Sequence, residues 1–152
     1  VGHVQRNKAG QAIELFDVIQ SVDSTALIDA LEQQAAKRGR TVRAMIQVNV
    51  SGETTKFGCR PAEAIALAQT IRRCPHLTFA GLMTMAPFAE DPETARPHFR
   101  RLRELRDELV AALDLSPAAC SLSMGMSQDF EIAIEEGADV VRIGSAIFGA
   151  RP

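Results

Sequence analysis

The strongest constraint in this sequence is an alternation. Short apolar, β-branched runs are followed repeatedly by longer stretches with helical spacing. Residues 17–22 read as a strand. Asp23 and Ser24 suit the N-cap of a helix that runs to about Arg38, with Leu27, Ile28, Leu31 and Ala35 on one face and Gly39 as its stop. Residues 41–50 are nearly uncharged past Arg43 and look buried on both faces, in the style of a parallel strand. After a polar loop at 51–59, Pro61 suits the first position of a helix carrying Ile65, Leu67, Ala68 and Ile71. Residues 77–85 form the next strand. Asp91-Pro92-Glu93 then opens a long helix with Phe99, Leu102, Leu105, Leu109, Val110 and Leu113. Residues 119–123 and 139–143 are the last strands, separated by a helix that 127–129 caps and Gly137 ends. Residues 145–148 form a short turn.

Such alternation implies a parallel sheet whose strands are joined by crossover helices. Doubly wound and barrel arrangements both satisfy it. Five strands are expected, with His3-Val4-Gln5 as the tail of a sixth.

Charge and composition exclude several functions. Lys plus Arg number 17 and Asp plus Glu 19, so the net charge of −2 gives no footprint for nucleic acid. The arginines at 96, 100, 101, 103 and 106 are interleaved with Glu104, Asp107 and Glu108, which reads as a solvated helix face. The longest charge-free apolar stretch, 77–89, is too short to span a membrane and is broken by Thr78, Gly81, Thr84 and Pro87. Cys59, Cys74 and Cys120 form no CxxC pair, and their odd, scattered count fits a reducing cytoplasm. His3, His76 and His98 lack ligand spacing for a metal, and no tyrosine is present to act as an acid or base. Val1 is an unusual first residue, from which a longer parent polypeptide is expected.

In parallel α/β folds, chemistry sits where strands end and helices begin. Two segments meet that condition. The first, 121–127, brings Ser123, Gly125 and Ser127 to a strand end ahead of a helix, where free N–H groups favour an anion; a plain capped turn explains the same residues. The second, 140–149, places Arg142 inside an apolar strand and Gly144-Ser145 at a turn. A buried arginine is costly unless it meets a partner. Barrels often seat a phosphate after their last two strands, and both corners fall there. The candidate binding residues are therefore Ser123, Gly125, Arg142, Gly144 and Ser145. A P-loop is excluded because Ala150-Arg151 stands where Lys-Ser/Thr is required. Asn49 and Lys56 lie near a strand end, where either could face a ligand but solvent contact or turn chemistry is the expected role. Neither Lys8, Lys37 nor Lys56 lies in an apolar strand, as a Schiff-base lysine would.

The segments Gly2-His-Val-Gln-Arg-Asn-Lys8, Gln47-Val-Asn-Val-Ser-Gly52, Thr55-Lys-Phe-Gly58, Gly81-Leu-Met-Thr-Met85, Ser123-Met-Gly-Met-Ser127 and Val141-Arg-Ile-Gly-Ser-Ala-Ile-Phe-Gly149 occur in that order. In them the chain resembles the pyridoxal-phosphate homeostasis proteins (the YggS or PROSC family) over essentially its whole length. The resemblance implies a (β/α)8 TIM barrel like the alanine racemase N-terminal domain, here an incomplete barrel of about six βα units forming one partial domain over 1–152. It implies pyridoxal 5′-phosphate as cofactor, with Ser123, Gly144 and Ser145 on the phosphate and Arg142 facing the pyridine nitrogen. A guanidinium there disfavours ring protonation and makes the ring a poorer electron sink, which suits storage and delivery better than broad catalysis. The family's aldimine lysine ends the first barrel strand. No matching segment occurs here, so that lysine and two strands are expected to be missing. The implied partners are pyridoxal-phosphate-dependent apoenzymes, and exposed strand edges would favour self-association. A racemase-like enzyme and a noncatalytic fragment without cofactor are the competing readings. The first is weakened by the absence of tyrosine.

Overall fold

The computed structural model describes residues 2–149, and the alternation is realised in it. The elements run α1 (Ala9–Leu15), β1 (Val18–Val22), α2 (Thr25–Arg38), β2 (Val42–Gln47), α3 (Ala64–Arg73), β3 (Leu77–Met83), α4 (Arg96–Ala112), β4 (Ser121–Met126), α5 (Phe130–Glu135), β5 (Val140–Arg142) and α6 (Ser145–Phe148). The five strands pair in parallel in the order β1-β2-β3-β4-β5, as successive βα units demand. The sheet curls as a partial TIM barrel does. Gln20 on β1 reaches Ser123 on β4 across the inside of the curl, at 2.7 Å.

Local chemistry explains the helices. Ser24 caps α2 through the Leu27 amide, and Gly39 ends it in the left-handed conformation with φ 59°. On α2, α3 and α4 the buried positions follow helical spacing: Leu27, Ile28, Leu31 and Ala35; Ala64, Leu67, Ala68 and Ile71; Phe99, Leu102, Leu105 and Leu109. They join Ile19, Ala44, Ile46, Leu82 and Leu122 from the outer face of the sheet in one core. Phe99, fully buried, contributes about 2–3 kcal/mol by this removal from water.

Side chains alternate across each strand. Val42, Ala44 and Ile46 face the helices, so Met45 and Gln47 face the inside of the curl. Met83 is in register with Gln47, and Ser123 with Met83. The close β3–β4 pairing needs Gly81, where an added Cβ would lie 2.0 Å from the Ser121 carbonyl oxygen.

Several boundaries differ from expectation. His3-Val4-Gln5 is not a strand among the described residues. The strand at 41–50 stops at Gln47, and Val48 makes only an isolated bridge to Cys59. The strand at 77–85 stops at Met83. β4 starts at Ser121 because Pro117 nucleates a 3₁₀ turn over Pro117–Ala119, and it continues to Met126 with a shift in register against β5. Helix α1 was not expected. It has no side-chain cap and is held by burial of Ala9, Ala12 and Ile13. Leu15 and Phe16 beyond them stay exposed.

Candidate functional site

Arg142 ends β5, and its guanidinium is held from two sides. Nη1 donates to Ser123 Oγ at 2.6 Å, and Nη2 donates to the Thr84 carbonyl at 2.8 Å. Ser123 is fully buried, and its hydroxyl donates to Gln20 Oε1 at 2.7 Å. The Thr84 hydroxyl donates to the Val48 carbonyl at 2.8 Å. One polar chain thus ties β1, β4 and β5 to the strand ends of β2 and β3. Burial pushes the Arg142 pKa below its usual value, opposed by the charge of Asp129. The group still remains a cation at neutral pH. Among the described residues no carboxylate forms an ion pair with it. Its Nε is buried and has no hydrogen-bond partner among the described residues. A half-buried cation with one buried, idle donor favours a ligand that can accept from it.

The second corner is built differently from the sequence expectation. Ser127 does not cap α5. Its hydroxyl instead accepts from the Gly144 amide at 3.1 Å and the Ala146 amide at 3.3 Å, fastening the β4–α5 turn to the turn after β5. Asp129 precedes α5 and accepts from the Met126 amide at 2.6 Å. Gly144 has open space where a side chain would stand, so the backbone there is approachable. Ser145 is exposed beside it. Gly125 has another role. At φ +91° its missing Cβ would lie 2.5 Å from Ala133 Cβ, so glycine lets β4 pack against α5.

Two cavities meet these groups. One of about 690 Å³ is lined by Lys56, Met85, Phe88, Ser127, Gly144 and Ser145, among others. A smaller one, about 230 Å³, is lined by Gln20, Met83 and Arg142. The expected residues therefore fall in two linked groups: Ser123 with Arg142 inside the curl, and Gly144 with Ser145 at its mouth. Gly125 lies behind them. Asn49 is turn chemistry, as expected. Its carboxamide donates to the Glu53 and Lys56 carbonyls and accepts from Ser51 and Gly52, shaping the loop that brings Lys56 to the cavity. The expected solvated arginine face is extensively paired: Arg96, Arg100 and Arg103 converge on Glu136, which is only 4% exposed. Sequence reasoning missed Gln20, Gln47 and Thr84. Their signal was a polar residue within or just beyond an apolar strand, the same signal that exposed Arg142.

The sequence profile of the alanine racemase N-terminal domain matches residues 1–152. The pyridoxal phosphate homeostasis protein of Aquifex aeolicus is 44% identical over 151 residues, covering 99% of this chain and 65% of its own length. That of Homo sapiens is 39% identical over 157 residues, covering 99% and 57%. The chain thus spans roughly six-tenths of the length of these curated relatives. The solved structure of PipY from Synechococcus elongatus PCC7942 with PLP bound superimposes with a TM-score of 0.85 at 32% identity, over 98% of this chain and 68% of that one. Alanine racemase from Clostridium difficile 630 shares only the fold, at a TM-score of 0.76 and 14% identity. The chain belongs to the alanine racemase N-terminal domain family, and the pyridoxal phosphate homeostasis proteins and PipY are among the proteins it is similar to.

Proposed function

We propose that this chain carries a pyridoxal 5′-phosphate site, and that the intact protein holds the cofactor and releases it to apoenzymes rather than turning over amino acids. The observation that carries this reading is the idle, buried Nε of Arg142 beside a glycine-serine corner. A pyridine nitrogen without a proton is an acceptor that fits that donor. The open backbone at Gly144 and the exposed Ser145 suit the cofactor's phosphate, and Ser127 fixes the geometry of that turn. When bound, the cofactor supplies an aldehyde and an electron-withdrawing ring. Arg142 keeps the ring nitrogen unprotonated and so limits that withdrawal. Ser123 and the Thr84 carbonyl orient the guanidinium, and Met83 forms apolar wall.

Titration of the intact protein with pyridoxal 5′-phosphate and with pyridoxal tests the site. The phosphorylated form should bind at least about tenfold more tightly, reflecting one or more charge-assisted hydrogen bonds. It should also raise the melting temperature in proportion to the logarithm of its concentration. Equal affinity for the two forms would overturn the phosphate assignment. Rapid α-proton exchange on alanine would favour the racemase-like alternative instead.

A further inference from the structure

Gln20 has one end of its carboxamide committed and the other free. Ile19 beside it belongs to the helix-facing core, which puts Gln20 on the inner face of β1. Its orientation is fixed by chemistry. Arg142 can only donate, so Ser123 Oγ accepts from it and must send its own proton elsewhere. Gln20 Oε1 takes that proton at 2.7 Å, and turning the carboxamide over would strand a fully buried hydroxyl donor. Nε2 therefore points away from Ser123. It donates to no group among the described residues, and it is not sealed from solvent, unlike the idle Nε of Arg142. Gln20 lines the cavity of about 230 Å³ together with Met83 and Arg142. The Ser123 hydroxyl joins it to Arg142, so the free amide stands one hydrogen-bonded group away from the guanidinium. Arg142 is the only charged side chain among the described residues lining that cavity, and none of their carboxylates forms an ion pair with it. A neutral donor beside an uncompensated cation favours an acceptor that carries negative charge.

We propose that Gln20 is a specificity-determining residue, whose Nε2 donates to the oxygen on carbon 3 of a phosphorylated 3-hydroxypyridine and holds that oxygen ionised. The inference deepens the cofactor reading above and rests on it. With the ring nitrogen on Arg142 and the phosphate arm of carbon 5 at the Gly144–Ser145 turn, the opposite edge of the ring carries the carbon 2 methyl and the carbon 3 oxygen. That edge faces away from the turn after β5, toward the wall that β1 supplies. Val4 and Phe16, which line the cavity with Gln20, give the methyl an apolar surface. A ring whose nitrogen stays unprotonated carries its negative charge on the 3-oxygen, in the field of the unpaired guanidinium. The Gln20 amide is then the group that tells a hydroxylated ring from a deoxy one.

The test measures binding of pyridoxine 5′-phosphate and of 3-deoxypyridoxine 5′-phosphate to the intact protein by calorimetry. Neither ligand has an aldehyde, so no covalent link to a lysine enters the comparison. The hydroxylated ligand should bind roughly tenfold more tightly. Gln20→Met removes the donor without adding charge and should lower that preference by about tenfold. The bound 3-hydroxyl, followed by its ultraviolet absorbance, should also ionise about one pH unit higher in Gln20→Met than in the parent. A Gln20 that acts only through Ser123 on Arg142 would weaken both ligands equally. A preference unchanged in Gln20→Met therefore overturns the assignment, as does a parent that binds the two ligands alike; both results leave the cofactor site standing. Gln20→Glu keeps an acceptor for Ser123 and covers the case of a Gln20→Met chain that does not fold. Its bound 3-hydroxyl should stay protonated at a pH where the parent's is ionised, and ionisation together with the parent overturns the assignment. A parent that binds neither ligand overturns the cofactor site itself, and the Gln20 assignment with it.

Discussion

Replacing Ser123 with alanine removes the one hydroxyl that joins three strands. Ser123 is fully buried, accepts from Arg142 Nη1 at 2.6 Å and donates to Gln20 Oε1 at 2.7 Å. The first bond involves a charged group and contributes about 1.5–3 kcal/mol; the second is neutral and contributes about 0.5–1.5 kcal/mol. Neither partner has another protein group to turn to in Ser123→Ala, and both are only partly open to water. The expected loss is therefore about 2–4 kcal/mol. For a chain of this size each kcal/mol shifts the melting temperature by roughly 2–4 °C. Ser123→Ala should thus melt about 5–15 °C lower by circular dichroism. Ser121→Ala, on the same strand but without a side-chain bond, is the control and should stay near the parent. Cofactor affinity should also fall, because Arg142 keeps only the Thr84 carbonyl as a guide. A Ser123→Ala protein melting within about 1 °C of the parent, or no lower than Ser121→Ala, would show that the chain of bonds carries no stability.

Other positions give independent checks. Gly125→Ala forces a Cβ to 2.5 Å from Ala133 at a φ that disfavours side chains, so it should cost about 2–4 kcal/mol in chemical denaturation; an unchanged midpoint would count against the β4–α5 contact. Burial alone would raise the pKa of Glu136, but its hydrogen bonds to Arg96 and Arg100 and the charge of Arg103 hold it below the usual carboxylate range. Its contribution is then fully present above the unfolded value of about 4.3 and is lost as pH falls through the lower folded value. Glu136→Gln should be less stable than the parent at pH 7 by on the order of 2 kcal/mol, with the difference closing below about pH 4. A difference that persists unchanged at pH 3 would contradict the pairing. Burial pushes the Cys59 and Cys120 thiols up to about 12. In the native protein at pH 8 a thiol reagent should therefore modify Cys74 first, and rapid labelling of all three would refute the packing around the other two.

Much of the fold was legible because burial and period coincide. Leu27, Ile28, Leu31 and Ala35 could only be one helical face, and the run from Val42 to Gln47 could only be a strand buried on two sides. Helix α1 was not legible, because seven residues without a capping side chain carry too little local signal. Its existence depends on the core beneath it. Arg142 was conspicuous as a charge in an apolar strand, whereas Gln20, Gln47 and Thr84 were not. A neutral polar residue in a strand becomes informative only once the inward face is known. Ser127 was misread for a related reason. A serine before a helix suits a cap, but its hydroxyl serves the turn after β5, a contact that tertiary structure alone creates.

A diffraction structure of the intact protein soaked with pyridoxal 5′-phosphate is the most direct test of the central claim. The phosphate should lie within hydrogen-bond distance of the Gly144–Ser145 turn, and the ring nitrogen within about 3.2 Å of Arg142 Nε. A cofactor seated elsewhere, or one that leaves Arg142 Nε without a partner, would contradict it.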